Sequence, residues 1–344
     1  MREFFKNDFS FYTTGLARAN IGTQLKSFGQ SLVQYGDKEL LEPKNWFEAF
    51  ARLSSLLENK REKQKKVIFL DELPWMNTHR SGFITALEHF WNSWAAARPD
   101  ILLIVCGSAA SWMMDKLINN HGGLHNRITR RMHLKPFTLA ETEKYLKSRG
   151  ILFSQHQIVE TYMILGGIPY YLSLLEKGMS LPQNIDKLCF AEDGALCTEY
   201  QSLYASLFSK AENHIRIINA LGNKRSGMTR EELLAASKFT DGGEFSKVLY
   251  ELEISGFIRS YYAFGKKSRG TVYQLIDFFS LFYLQFMHKK NRDEHFWLNH
   301  IDSSIHRAWT GYTFELLALV HIDAIKAALG ISGVSTSVCS WRSS

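Results

Sequence analysis

The sequence predicts an α/β fold: a mostly parallel sheet in its first half, then a helical region, then a smaller mixed region. Three observations carry this. Apolar strand-like runs alternate with helical patterns as far as about residue 137, and connections of that length join parallel strands. The runs KVIFL (66–70) and ILLIVCG (101–107) are apolar throughout, as strands buried on both faces are. From about Thr138 the strand signals stop and helical spacing takes over.

Taken in order, FSFYTT (9–14) is aromatic and β-branched and reads as a strand. Helical patterns follow at about 19–35 and 45–63, the second ending in the charge run ENKREKQKK, a solvated helix end. KVIFL is the next strand. Residues 80–97 form a helix whose Phe83, Phe90, Trp91 and Trp94 read as core. ILLIVCG and then RMHLKPF (131–137) complete the strand signals of this half. Patterns at 138–149, 154–165 and 169–177 predict a small helical lid. Beyond about residue 210, ENHIRIINALGNKRSGMTREELLAASK gives two helices and GEFSKVLYELEISGFI a third. IRSYYAFGKKSRGTVYQLID then gives two strands joined by a basic turn, which completes a winged helix-turn-helix pattern. The remainder from about Phe278 is helical until GISGVSTSVCSW, which looks like the start of a strand. The expected segments are 1–137, 138–208, 209–290 and 291–344, with no internal repeat or low-complexity linker.

At 344 residues and 45% hydrophobic, the chain has ample core for two or three domains. A formal charge of +7 and a pI of about 9.1 permit nucleic-acid binding without requiring it. Cys106, Cys189, Cys197 and Cys339 include no CxxC pair, which points to a reducing compartment with packed or free thiols, not a disulfide framework or zinc site. His121 and His125 are four apart, but Gly122 and Gly123 between them disfavour a metal-binding helix face. The first residues lack the apolar core of a signal peptide, and no apolar run approaches the roughly 20 residues of a membrane span. The expected location is cytoplasmic, with no membrane partner.

The chemistry sits at the strand ends. In open parallel sheets ligands lie beyond the carboxyl ends of the strands. There VIFLDELPWM places Asp71 and Glu72, and IVCGSAASWM places Gly107 and Ser108. Paired acids at such a position suit nucleotide hydrolysis: one holds magnesium on the phosphates, the other activates water. A lone DE after a strand is more often a solvated turn. Two successive buried strands ending in LDE and CGS favour the functional reading.

VIFLDELPWM resembles the Walker B strand of P-loop ATPases, and IVCGSAASWM their sensor-1 strand. HNRITRRMHLKPFTLAE resembles the segment in which an arginine precedes an apolar strand, Pro-Phe and an acidic helix start. GGIPYYL (166–172) resembles the GxP motif of the helical subdomain. With the winged-helix pattern, about residues 1–290 are similar to archaeal-type ATPases of the STAND branch of the AAA+ superfamily. The resemblance implies a P-loop NTPase-like parallel sheet with helices on both faces, using ATP and Mg2+. It implies Asp71 as the magnesium-side acid, Glu72 as catalytic base and Ser108 as sensor 1. Arg127, with Arg130 and Arg131 as alternatives, would approach phosphate, and Pro169 would shape the hinge between core and lid. The bland reading of the arginines is a basic patch leading into a strand.

The family's phosphate cradle, GxxxxGK[ST], does not occur in the sequence. The expectation is that Met1 falls inside the helix that follows that loop, so that the chain is truncated at its N-terminus; the alternative is a protein that has discarded the loop. At the other end, WTGYTFELLALVHIDAIKAALGI resembles the opening helix of a nuclease-like domain, without the metal-binding strand such a domain needs. Glu315 reads as an ordinary helix residue, and no nuclease activity is inferred. Two functions remain. One is a nucleotide-dependent switch engaging DNA, a protein partner or a second copy. The other is a non-enzymatic winged-helix DNA-binding or scaffolding protein, with Lys266, Lys267 and Arg269 touching phosphates.

Overall fold

The computed structural model describes all residues except 61–64, 120–121, 125, 263–269, 289–292 and 336–344. The chain divides into two compact units, residues 1–132 and 133–344.

In the first unit, β1 (Phe11–Thr14), β2 (Lys66–Asp71) and β3 (Ile101–Val105) form a parallel sheet in the order β1-β2-β3. The register sets Thr14 opposite Asp71, and Leu70 opposite Val105, so all three strands end together. Helices α1 (Ile21–Gln34) and α2 (Trp46–Asn59) connect β1 to β2. The short α3 (Leu73–Met76) and α4 (Phe83–Ser93) connect β2 to β3, which is followed by α5 (Ala110–Met113) and a π-turn at Met114–Ile118. Asn20 and Asn45 start α1 and α2 by accepting backbone N–H bonds from Thr23 and Glu48. The apolar stripes of α1, α2 and α4 bury Phe28, Leu32, Trp46, Phe50, Phe83 and Phe90 against Phe11, Ile68 and Leu70.

The aromatics of α4 are core, as their spacing predicts: Phe83 and Phe90 are buried, and Trp91 and Trp94 pack at the edge. The opposite face of the sheet is different. Val67 and Phe69 there are covered by Phe9 and Phe5, with Tyr12, Ile104 and Cys106 half-buried around them. Helices on both faces are therefore not what the described residues of this unit show. Successive crossovers of one hand that step the same way across a sheet fall on the same face, so the order β1-β2-β3 collects its helices on one side.

RMHLKPF is not a strand. Residues 129–138 have no regular structure, and Met132 and Leu134 are 66% and 89% exposed. The run has strand-like alternation, but it straddles the boundary between the units, and the free edge of β3 pairs with no strand among the described residues. Strand propensity without a neighbouring ladder does not make a strand.

The second unit opens with α6 (Leu139–Ser148), α7 (Gln155–Leu165) and α8 (Pro169–Ser173). Capping boxes at Thr138/Glu141 and Ser154/Gln157 start α6 and α7. Two helices not anticipated in the lid, α9 (Leu181–Cys189) and α10 (Glu199–Leu207), follow. Then come α11 (Ala211–Gly222), β4 (Met228–Thr229), α12 (Arg230–Ser237), α13 (Gly243–Ile254), β5 (Ile258–Tyr262) and β6 (Thr271–Leu275). Their antiparallel sheet has the order β4-β6-β5. The unit ends with α14 (Phe278–Phe282), a π-turn at Tyr283–Met287, α15 (Phe296–His300), α16 (Ser304–Val320) and α17 (Ile322–Ala328). One continuous core runs through it, from Leu146 and Tyr162 through Tyr200 and Phe245 to Phe282 and Trp309. The strand start expected at GISGVSTSVCSW falls on a turn at its beginning and otherwise outside the described residues.

Candidate active site at the strand ends

Asp71 is the last residue of β2, and Glu72 begins the turn that feeds α3. The turn is tight because two glycines let backbones approach. A Cβ on Gly15 would lie 2.3 Å from the Glu72 carbonyl oxygen, and one on Gly107 would lie 2.4 Å from Pro74 Cδ. Gly15 N–H donates to the Asp71 carbonyl (2.9 Å), and Leu73 N–H to the Cys106 carbonyl (2.8 Å), so the ends of all three strands are tied together. Buried Gln24 on α1 adds a clamp, donating to the carbonyls of Trp75 (2.9 Å) and Leu16 (2.6 Å).

Within this frame Asp71 is held by three donors. Cys106 Sγ donates to Oδ1 at 2.6 Å, Glu72 N–H donates to the same oxygen at 3.1 Å, and Tyr12 O–H donates to Oδ2 at 3.3 Å. Arg2 in turn donates to the Tyr12 hydroxyl and lies over its ring. A carboxylate offers about four acceptor positions, so one remains, on Oδ2. The Cys106 thiol is pushed up to about 12, chiefly by burial and then by its bond to Asp71. It is a fixed donor, not a nucleophile.

Glu72 has φ +48° and ψ +48°, the left-handed region that a non-glycine residue enters at a cost of about 1–2 kcal/mol. Its Oε2 accepts from Ser108 Oγ (3.0 Å) and Ser108 N–H (3.3 Å), across from the end of β3. The structure therefore brings together three of the residues singled out in the sequence: Asp71, Glu72 and Ser108. Strain held at such a point is a recurrent mark of functional sites.

The other candidates fall elsewhere. Arg127 is exposed in a turn, its N–H bonded to the Leu124 carbonyl, and nothing joins its side chain to the acids among the described residues. Arg130 and Arg131 are exposed in the irregular segment that follows. Pro169 is described within the second unit, at the first turn of α8. Before it, Gly166 and Gly167 have φ of +71° and +68°, and the Gly167 carbonyl accepts from Phe137 N–H at 2.8 Å. Lys266, Lys267 and Arg269 lie outside the described residues.

Tyr12, Cys106, Gln24 and Gly15 were not singled out by sequence as site residues. The signal was present: Tyr12 and Cys106 sit one or two residues from the ends of strands flanking Asp71, on its face of the sheet.

The oxygen donors Asp71, Glu72 and Ser108 suit a hard cation such as Mg2+. No group of three or more His, Cys, Asp and Glu forms a metal cage among the described residues. A magnesium here would draw its remaining ligands from water and substrate phosphates, its usual habit.

A three-stranded parallel sheet with acids at its carboxyl edge is the core of an ATPase-like α/β fold. Comparison with known proteins agrees at the level of the fold. The chain is similar to the Walker-type ATPase PABY2304 of Pyrococcus abyssi, with a TM-score of 0.54 and 17% identity, over 82% of this chain and 86% of that one. It is 26% identical over 231 residues to the uncharacterized protein MJECL04 of Methanocaldococcus jannaschii, covering 64% of this chain and 49% of that protein. The chain thus spans about half the length of this curated relative. No family model matches.

Proposed function

We propose that this chain carries the magnesium and water side of an ATP-hydrolysing switch of the AAA+/STAND type. The observation that carries the reading is the convergence of Asp71, Glu72 and Ser108 on adjacent parallel strand ends. Asp71, oriented by Cys106 and Tyr12, would hold Mg2+ through water at its remaining acceptor position. Bound Mg2+ supplies charge neutralisation on the phosphates. Glu72, with Oε2 fixed by Ser108, would take the proton of an attacking water at Oε1. Ser108 would report the γ-phosphate through the hydroxyl it now gives to Glu72. Arg127, or Arg130 or Arg131, would neutralise phosphate after a rearrangement.

The phosphates themselves need a cradle, and no GxxxxGK[ST] segment lies in the sequence. We assign it to a polypeptide segment outside these residues. Two features support that. The edge of β3 is free among the described residues, and Leu102 beside it is 37% exposed. A parallel strand on that edge that led back to β1 would step opposite to β1-β2-β3. With the usual right-handed crossover it would cross the face lined by Val67, Phe69 and Ile104, the one without helices. The test is ATP hydrolysis by the chain extended through its own upstream coding sequence, with Glu72→Gln as control. Turnover that survives Glu72→Gln sinks the role given to Glu72.

In this reading Gly166, Gly167 and Pro169 form a hinge, α6–α10 a lid, and α11–α13 with β4–β6 a winged helix whose partner responds to nucleotide. A second reading is a non-enzymatic winged-helix binding protein. DNA contact would then rest on Lys266, Lys267 and Arg269. The exposed side of α13 supports a protein partner instead, because Glu244 and Glu253 outnumber Lys247 there.

A further inference from the structure

A cavity of about 180 Å³ in the second unit is claimed by neither reading. It lies where the end of α11, the π-turn after α14 and α16 meet, lined by Asn219, Asn223, Arg225, Gln285, His288 and Trp309, with Tyr312 behind Arg225. Among the described residues the lining contains no carboxylate and one fixed cation. Its other polar groups are amides, an imidazole, a phenol and an indole N–H, all able to donate hydrogen bonds.

Arg225 is built into place. Its backbone carbonyl accepts from Gln274 Nε2 (2.9 Å) and Tyr312 O–H (3.1 Å). Its guanidinium donates to the Ala308 carbonyl (3.1 Å) and lies over the Tyr312 ring, 5.3 Å from the centroid. One guanidinium N–H is thereby used, and the others remain for a ligand. Trp309 is 2% exposed, and its indole N–H has no hydrogen-bond partner among the described residues. The π-turn that supplies Leu284 and Gln285 is a rare element, frequent at functional sites.

We infer that this cavity binds a small oxyanion, a phosphate or a compact carboxylate, with Arg225 as the charged anchor. All of its lining residues belong to the second unit. The site is thus independent of the strand-end acids. A purely structural Arg225, fastening the loop before β4 to α16, makes a different prediction.

The test titrates inorganic phosphate and, separately, malonate into the full chain at constant ionic strength. The readout is the indole N–H resonance of Trp309, picked out of the eight tryptophans by Trp309→Phe. The expected result is a saturable shift with at least one of the two anions, weakened about tenfold or more in Arg225→Gln, in line with losing a charged hydrogen bond. Whichever anion saturates first names the oxyanion class. If Arg225→Gln does not fold, Gln285→Leu at an exposed position narrows the same cavity and should weaken binding. No shift with either anion overturns the assignment. So does a shift of equal affinity in the folded variant.

Discussion

At the scale of single residues, the site is an argument about donors. Asp71 ends a buried strand, and a carboxylate there needs hydrogen bonds; Cys106, Tyr12 and the Glu72 N–H supply them. The thiol's part has a pH signature. Its folded-state pKa is raised to about 12, so its contribution to stability is complete below the ordinary thiol value near 9 and is lost as pH rises toward 12. Alkylation of Cys106 in the native protein, followed by peptide mass spectrometry, should show a midpoint near 12; a midpoint near 9 would mean that the thiol is neither buried nor bonded to Asp71. Glu72 gives a second prediction. Its left-handed backbone suits glycine, so Glu72→Gly should unfold at the same denaturant midpoint or be up to about 1 kcal/mol more stable, although it loses two bonds to Ser108. A loss above about 1 kcal/mol would show that the carboxylate is held for stability and not for function.

At the scale of elements, what could be read from sequence was what local periodicity and caps determine. The apolar runs at β2 and β3 and the stripes of α1, α2 and α4 were legible because burial imposes their pattern. RMHLKPF was misread because alternation records a strand's preference, whereas a ladder needs a neighbour that no local pattern reveals. The acids and Ser108 were legible because they close apolar strands, although only β2 is buried and β3 is mostly half-buried. Tyr12 and Cys106 were not, because their role depends on a cross-strand register that brings residues 59 and 35 positions away onto one carboxylate. The GGIP loop yields the element-scale prediction. Gly167 has φ +68°, and an added Cβ would meet the Phe137 carbonyl oxygen at 2.4 Å. Gly167→Ala should cost about 2 kcal/mol or more in a denaturant melt. Full stability would mean that Phe137 is not anchored there.

At the scale of the whole molecule, the question is how charge and nucleotide chemistry are distributed over the two units. The formal charge of +7 is the sole molecule-wide hint of nucleic acid. If Lys266, Lys267 and Arg269 contact DNA, replacing all three with Ala should flatten the plot of log affinity against log salt by up to about 3 in slope. An unchanged slope would remove them from any DNA interface and leave a protein partner for the proposed winged helix. No helix among the described residues is long and apolar enough to cross a membrane, so none of the proposed roles draws on such a span. The carboxyl ends of β2 and β3 are proposed to form the magnesium and water side of a hydrolytic site. The most direct measurement is Mg2+-dependent ATP turnover by the chain joined to its upstream coding sequence, for the wild type and for Glu72→Gln. Turnover should fall at least about a hundredfold in Glu72→Gln while ATP binding is kept. Equal turnover in the two proteins, or none in either despite bound ATP, would contradict the proposal.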